Sequence, residues 1–477
     1  MPPVAAPKRR RVHDKPRLSE NEIEARLAAM HDTRMVSCVS SKQQQDGPAL
    51  PTVSVIFTYH NDDFYALKLT LTSFLHFTPE ADYTSVIVVD DGSDDDDVAK
   101  DASKFFSTHS FKALRMLRSE SRDGEASSRF KASQIATGDI LVFANHQVVF
   151  NKAWLPPLVE FLVDNPESIA MPHADNYIHN NRFFPLSKPM VHVMTLSLST
   201  IHMEITSDVA HGNTFSSPVM RGDVYAISRS YYERLGAYDD AFVGGGGHDL
   251  ELSLRAWMCG GGIKVVTCSR VAVTDVLTPR DVTDARNVVR IAELWLGAHR
   301  FTAYHQRDDV TSSLDDDENR QITARLARLH KTLQCRSFDW YLENIAMYLI
   351  VPGTDFILFG MLRVDSGYCL KNVHTDYVMT QCQPMFYQPD MLFELSHHGI
   401  LFNDRYHLTL DKENAVTLER FDGSVSSAGE WNLKHRALTF SELPDLCLEH
   451  TPKASRTLQL KSCDESNRYQ RWSVIKH

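Results

Sequence analysis

Three continuous apolar runs constrain the fold more than any other feature of this chain. They are Val53 to Tyr59 (VSVIFTY), Ser85 to Asp90 (SVIVVD) and Asp139 to Phe143 (DILVF), all rich in β-branched residues. None alternates with polar residues, so each predicts a strand buried on both faces, as in a parallel sheet covered by helices. Between them, Phe64 to Phe74, Val98 to Phe106 and Ser127 to Ile135 carry helical spacing, with a short strand near Leu114. This alternation predicts an α/β domain with a mostly parallel sheet. Such sheets bind ligands beyond the carboxyl ends of their strands. Those ends carry Thr58-Tyr-His-Asn-Asp62, Asp90-Asp-Gly-Ser93 and Asn145-His-Gln147, so chemistry is expected there.

The 477 residues suggest roughly three domains at ~150 residues each. A net charge of −11 argues against general nucleic-acid binding, which needs basic surface. No uncharged run reaches the ~18–20 apolar residues that span a bilayer. No apolar stretch follows the basic residues near the start, so no signal peptide is expected. Lys8 to Arg11 reads either as a nuclear signal or as part of a solvated tail. Residues 1–47 form that polar tail, with a short helix expected around Asn21 to Met30.

The eight cysteines include no CxxC, which speaks against zinc and thioredoxin-type sites. They suit either unpaired core positions or disulfides. Cys369 and Cys382 recur in the same local context as Cys447 and Cys463, which favours local disulfides and an oxidising compartment. Asp308 to Asn319 reads as an acidic loop and Ser337 to Thr354 as a connector. From Asp355 the texture becomes short β-like pieces, three times over, in units opening near Phe359, His398 and Lys434. Each unit has a strand of the type Tyr368 to Lys371, Leu408 to Asp411 or Leu446 to Glu449, and an aromatic near its end: Phe393, Trp431 or Trp472. A threefold repeat of about 40 residues predicts an all-β pseudo-symmetric unit.

Ordered motifs then carry a family resemblance. They include Leu50-Pro-Thr-Val-Ser-Val, Tyr59-His-Asn-Asp62, Val89-Asp-Asp-Gly-Ser93, Arg122-Asp-Gly124 and Trp154-Leu-Pro-Pro-Leu158. Further on come Leu235-Gly-Ala-Tyr-Asp239, the segment from Leu250 to Gly261, Val266-Thr-Cys-Ser269 and Trp340-Tyr-Leu-Glu-Asn344. Over about nine-tenths of its length the chain resembles the polypeptide N-acetylgalactosaminyltransferases. The resemblance implies a GT-A glycosyltransferase domain (48–335), a linker (336–354) and a ricin-type β-trefoil lectin domain (355–477). It implies transfer of GalNAc from UDP-GalNAc to Ser or Thr of a protein or glycopeptide. It also implies four disulfides, Cys38–Cys268, Cys259–Cys335, Cys369–Cys382 and Cys447–Cys463, and a Golgi or secretory lumen. Leu408 stands where the middle repeat would carry a cysteine. The family's membrane anchor has no counterpart in the segment preceding the tail's short helix.

By the same resemblance Thr58, His60, Asp90, Asp91, Arg122 and Gly222 are expected to contact the nucleotide. Mn²⁺, which suits carboxylate and imidazole ligands, would fall on Asn145, Gln147 and Val273, none of which supplies charge. Weak or absent Mn²⁺ binding is therefore expected, with His146 one position out of register. The family's aromatic-rich catalytic loop becomes Gly244 to Gly247 followed by His248 and Asp249, and Arg221 appears as a substitute clamp for phosphate. His248, Asp249 and Arg221 are the catalytic expectations. In the lectin, Asp411 and Glu449 are the expected contacts for a GalNAc-type glycan, while Lys371 removes the first site and Trp431 and Trp472 read as core. The alternative is a catalytically inactive homologue that binds a nucleotide or a glycan.

Overall fold

A computed structural model describes residues 19–30, 32–34, 38, 51–61, 63–178, 182–184, 190–204, 214–242, 246–274, 283–307, 309–310, 316–349, 351, 356–373, 376–382, 389–403, 406–420, 430–452 and 457–476. The basic run Lys8 to Arg11, the glycines Gly244 and Gly245, and residues 352–354 of the expected linker lie outside them.

The chain opens with α1 (Glu20–Ala28), β1 (Val53–Tyr59), α2 (Asp63–Phe77), β2 (Ser85–Asp90), α3 (Asp96–Thr108), β3 (Arg115–Arg118), α4 (Glu125–Ile135) and β4 (Ile140–Ala144). It continues through β5 (Val148–Phe150), α5 (Pro156–Asp164), β6 (Ile169–Ile178), β7 (Arg182–Phe184), β8 (Met190–Met194), β9 (Thr200–Glu204) and β10 (Thr214–Ser216). Then follow β11 (Val224–Ser228), α6 (Arg229–Arg234), α7 (His248–Cys259) and β12 (Ile263–Thr274). The main sheet runs β10-β12-β6-β11-β4-β1-β2-β3, with β5 on β12 and β7 on β6.

The apolar runs become strands for the expected reason. Every residue of β1, β2 and β4 is buried. Val55, Phe57, Val86, Val88 and Val142 pack on one face. Ile56, Ile87, Val89, Leu141 and Phe143 pack on the other. Alternate residues of a strand face opposite ways, so a continuous apolar run is what two covered faces require. β3, β2, β1 and β4 pair in parallel. Beyond β4 the sheet is mixed, because β11 runs antiparallel to both β4 and β6. Its sequence VYAIS is as apolar as a parallel strand, so direction was not legible there. β6 and β12 are parallel to each other, and both ladders to β11 are reversed. The carboxyl ends of β1, β2, β4, β6 and β12 therefore share one edge with the start of β11.

Two readings change. Asp316 to Asn319 are not loop but the first turn of helix Asp316–Thr332. Acids there complement the positive helix end, so a charge run marked an element's beginning. The connector likewise starts with helix Phe338–Asn344, where Ser337 Oγ accepts from Trp340 N at 3.2 Å.

The C-terminal part is antiparallel β. Leu362, Leu370, Phe393, Leu395, Leu408, Trp431, Leu448 and Trp472 form its shared core. The indoles of Trp431 and Trp472 donate to the carbonyls of Leu408 and Leu448 at 2.7 and 2.8 Å. These indole groups are satisfied inside the fold. Leu408, at the missing cysteine's position, is fully buried.

Disulfides join Cys38 to Cys268, Cys259 to Cys335, Cys369 to Cys382 and Cys447 to Cys463. The first ties the N-terminal segment to the register shift of β12 between Val266 and Arg270. Among the described residues no helix is long and apolar enough to cross a membrane.

Candidate active site

At the end of β1, Thr58 is buried in the ladder opposite Val89. His60 Nδ1 lies 2.8 Å from the Asp91 carbonyl, which can only accept, so Nδ1 carries the proton. Its Nε2 faces the Asn61 amide at 3.1 Å. Asn61 itself was not singled out from the sequence. It donates from its backbone to Ser93 Oγ at 2.8 Å and from its amide to Asp94 at 2.7 Å, clasping the two strand ends together.

Both acids of the Asp90-Asp91 turn are engaged within the fold. Asp90 accepts from Ser93 N at 2.9 Å and lies 3.7 Å from Arg118. Asp91 accepts from Asp123 N at 2.9 Å, Gly124 N at 3.0 Å and Ser128 Oγ at 3.0 Å. Its carboxylate takes the two amides just ahead of α4, including that of the cap residue Gly124, and complements the helix dipole. Arg122 is exposed in the connection between β3 and α4, whose backbone lies against Gly92 of that turn.

A second group assembles at β4, β11 and β12. Val273 pairs with Val148, directly after Gln147. Asn145, Gln147 and Val273 therefore lie near one another at one sheet edge. Asn145 Nδ2 donates to Asp223 Oδ1 at 3.1 Å, and Asn145 Oδ1 accepts from Gln147 N at 2.9 Å. Gln147 is exposed, His146 is half-buried, and Val273 is fully buried. Asp223 forms a buried ion pair with Arg221. Arg221, Asp223 and Val273 line one cavity together with His173 and His192. Arg221 and His192 also line an adjoining cavity with Glu125, His202, His248 and Asp249.

His248 and Asp249 open α7. Asp249 Oδ1 accepts from Tyr238 Oη at 2.6 Å and from Arg129 at 3.1 Å. Asp249 Oδ2 and Glu125 Oε2 lie 3.6 and 3.7 Å from His248 Nε2. The residue that organises this corner is Arg129, which is 1 % exposed. It pairs with Glu125 at 2.6 Å and donates to the Gly222 carbonyl at 3.0 Å. Its guanidinium also lies about 6 Å from the rings of Phe143, Tyr225 and Tyr238, within cation–π range. The sequence reading missed Arg129 because a single Arg in a helical segment is ordinarily solvated.

Gly222 is required by two independent constraints. Its φ is +78°, and a Cβ there would fall 1.6 Å from Asp249 Oδ2. Gly222→Ala is expected to lower stability by about 2–4 kcal/mol. Urea unfolding measures this; an unchanged midpoint would contradict the close approach.

His173 gives a pH prediction. Burial first, and the nearby Arg270 second, push its pKa down to about 3. The unfolded histidine takes its proton near pH 6.5. The unfolded state therefore binds more protons below that pH, and stability falls as pH drops from about 6.5 towards 3. The loss at pH 5 is about 2 kcal/mol. His173→Gln should flatten that part of the stability profile, read by denaturant unfolding across pH.

Comparisons with known proteins bear on this geometry. The profile of glycosyl transferase family 2 matches residues 54–236. The chain is 31% identical over 336 residues to a polypeptide N-acetylgalactosaminyltransferase 11 of Xenopus tropicalis, covering 68% of this chain and 54% of the relative. It is 30% identical over 479 residues to a polypeptide N-acetylgalactosaminyltransferase 5 of Rattus norvegicus, covering 94% and 50%. The chain belongs to the polypeptide N-acetylgalactosaminyltransferase family. It spans about half the length of these curated relatives. The crystal structure of GalNAc-T7 with UDP, GalNAc and Mn²⁺ shares the fold, with a TM-score of 0.62 at 20% identity over 94% of this chain and 87% of that one.

The residues at the positions where the resemblance would put Mn²⁺ do not fit that ion. A hard divalent ion needs carboxylate, imidazole or accessible carbonyl oxygen. Val273 is aliphatic and offers no donor. The Asn145 carbonyl oxygen already accepts the Gln147 amide, and its NH₂ is turned to Asp223. Among the described residues no three His, Cys, Asp or Glu side chains are grouped to hold an ion.

Proposed function

We propose that this chain is a glycosyltransferase that binds a uridine nucleotide sugar at the carboxyl edge of the sheet and transfers GalNAc to Ser or Thr of a protein or glycopeptide. One observation carries this reading. The ends of β1, β2 and β4, the start of β11 and the start of α7 converge on one edge, the side on which α/β sheets generally take ligands. In this reading Thr58, His60 and Arg122 hold the uridine, and Asp90 and Asp91 shape the turn beneath it. Gly222 lets the backbone approach the sugar. His248 and Asp249 face the sugar as polar contacts, Asp249 being fixed by Tyr238 and Arg129. As the acceptor oxygen bonds to the sugar's anomeric carbon and the bond to the diphosphate breaks, the acceptor hydroxyl's proton passes to the leaving diphosphate. Leaving-group charge must be met by preorganised donors, and Arg221 is the side chain placed for that. The catalytic unit would occupy 48–335 and the lectin unit 355–477. The disulfides suit a secretory lumen such as the Golgi.

A second reading, an inactive nucleotide- or glycan-binding homologue, is favoured by the misfit of the metal positions. In the lectin unit Asp411 would be the glycan contact, with one oxygen already accepting the amides of Glu413 and Ala415. Glu449 is held by Lys461, Asn467 and Gln470 at 2.8–2.9 Å, which leaves it less room for sugar hydroxyls.

Titration calorimetry of the full chain with UDP and UDP-GalNAc, followed by peptide transfer assays, tests both. UDP-GalNAc binding with transfer supports the enzyme. Binding without transfer supports the second reading, and no nucleotide binding rejects the first.

A further inference from the structure

Resting on the nucleotide-sugar reading above, we infer that Arg221 supplies the positive charge that meets the diphosphate, and that the nucleotide binds without a divalent ion. Donor chemistry removes the ion's ligands but not the need for charge: a diphosphate must still be neutralised. The ladder shows what replaces them. Val224 pairs with Ala144, and Asn145 N donates to the Asp223 carbonyl at 2.9 Å, so Asp223 stands across from Asn145. A carboxylate thus stands on the neighbouring strand, next to the neutral amide of Asn145. The cation facing it is Arg221, two residues earlier, rather than a metal.

Position and charge both single out Arg221. It walls the cavity beside Val273 and the adjoining one beside His248 and Asp249, so it sits between the metal positions and the sugar end. The charged groups around these two cavities are Glu125, Asp223, Asp249, Arg129 and Arg221, with neutral His173 among the histidines. Arg129 is committed to Glu125, Asp249, Tyr238 and Gly222. Without Arg221, a diphosphate would therefore meet three carboxylates, and neither cavity's lining includes another arginine or any lysine. A guanidinium has five N–H donors in a planar fork, enough to keep Asp223 on one edge and take phosphate oxygens on another.

The test is calorimetry of the full chain with UDP and with uridine, in EDTA and in Mn²⁺. UDP affinity is expected to be the same in both. Arg221→Gln is expected to weaken UDP by about tenfold to a hundredfold, the range of a lost charge-assisted contact, and to leave uridine unchanged. Asp223→Asn removes a competing anion and is expected to tighten UDP severalfold. Because Arg221→Gln alone orphans a buried carboxylate, the neutral pair Arg221→Gln with Asp223→Asn is the decisive variant. It leaves no unpaired charge and is expected to fold, checked by its melting temperature, yet still to bind UDP more weakly than the parent, because the guanidinium's donors to phosphate are gone. Binding that requires Mn²⁺ overturns the inference while the nucleotide reading stands. So does a folded neutral pair that binds UDP like the parent. No UDP binding by the parent in either buffer rejects the nucleotide reading and this inference with it.

Discussion

Arg129→Met is expected to destabilise the fold by about 3–5 kcal/mol, the range for breaking one side of a buried ion pair. Methionine fills much of the same volume, so cavity formation is a minor part of the effect. The major part is that Glu125 and Asp249 lose their shared cation while Arg129's site stays dry. The Gly222 carbonyl and the Tyr238 hydroxyl lose a donor at the same time. Lysine is not expected to rescue the site, because a point charge cannot reproduce a planar fork reaching four groups. Urea unfolding would read the loss. A change below about 1 kcal/mol would mean that the four contacts contribute little beyond a surface pair. The consequence for function is positional. Asp249 is aligned by Tyr238 and Arg129 together, so the variant's remaining folded fraction should bind uridine normally while handling the sugar end poorly.

The fold was legible where the sequence pattern had only one physical solution. Runs such as VSVIFTY cannot be half-exposed strands, and the helices between them follow from spacing. The direction of β11 was not legible, because burial fixes a strand's composition without fixing its sense. In the site, the ladder between β5 and β12 sets Val273 opposite Val148, next to Gln147. The work of individual charges was harder to read. Asp91 looks the same in sequence whether it faces a ribose or caps α4, and its three internal donors are visible only in three dimensions. Arg129 and Asp223 look like surface charges in a chain that has many. Their meaning comes from partners 93 and 78 residues away, at Gly222 and Asn145 respectively.

Restoring the family's metal ligands alone, through Asn145→Asp, Gln147→His and Val273→His, is expected to leave UDP binding independent of Mn²⁺. Arg221 stands at the same cavity wall as position 273. A guanidinium about 5 Å from a divalent ion opposes it by several kcal/mol even at an effective dielectric near 20. The new carboxylate at 145 would also lie against Asp223, now about 3.1 Å from the Asn145 amide, and two carboxylates so close share a proton rather than both ionise. Adding Arg221→Ala and Asp223→Gly removes both obstacles. The five-fold variant is expected to bind UDP at least about tenfold more tightly in Mn²⁺ than in EDTA. Mn²⁺ titration followed by calorimetry and by paramagnetic resonance of the free ion would separate the two variants. If the three-fold variant already binds the ion tightly, Arg221 is not the occupant of the metal's electrostatic role. If the five-fold variant binds it and the three-fold variant does not, the same strand edge has two exclusive solutions to one problem. One is a metal held by acids and imidazoles, and the other is an arginine held by an acid.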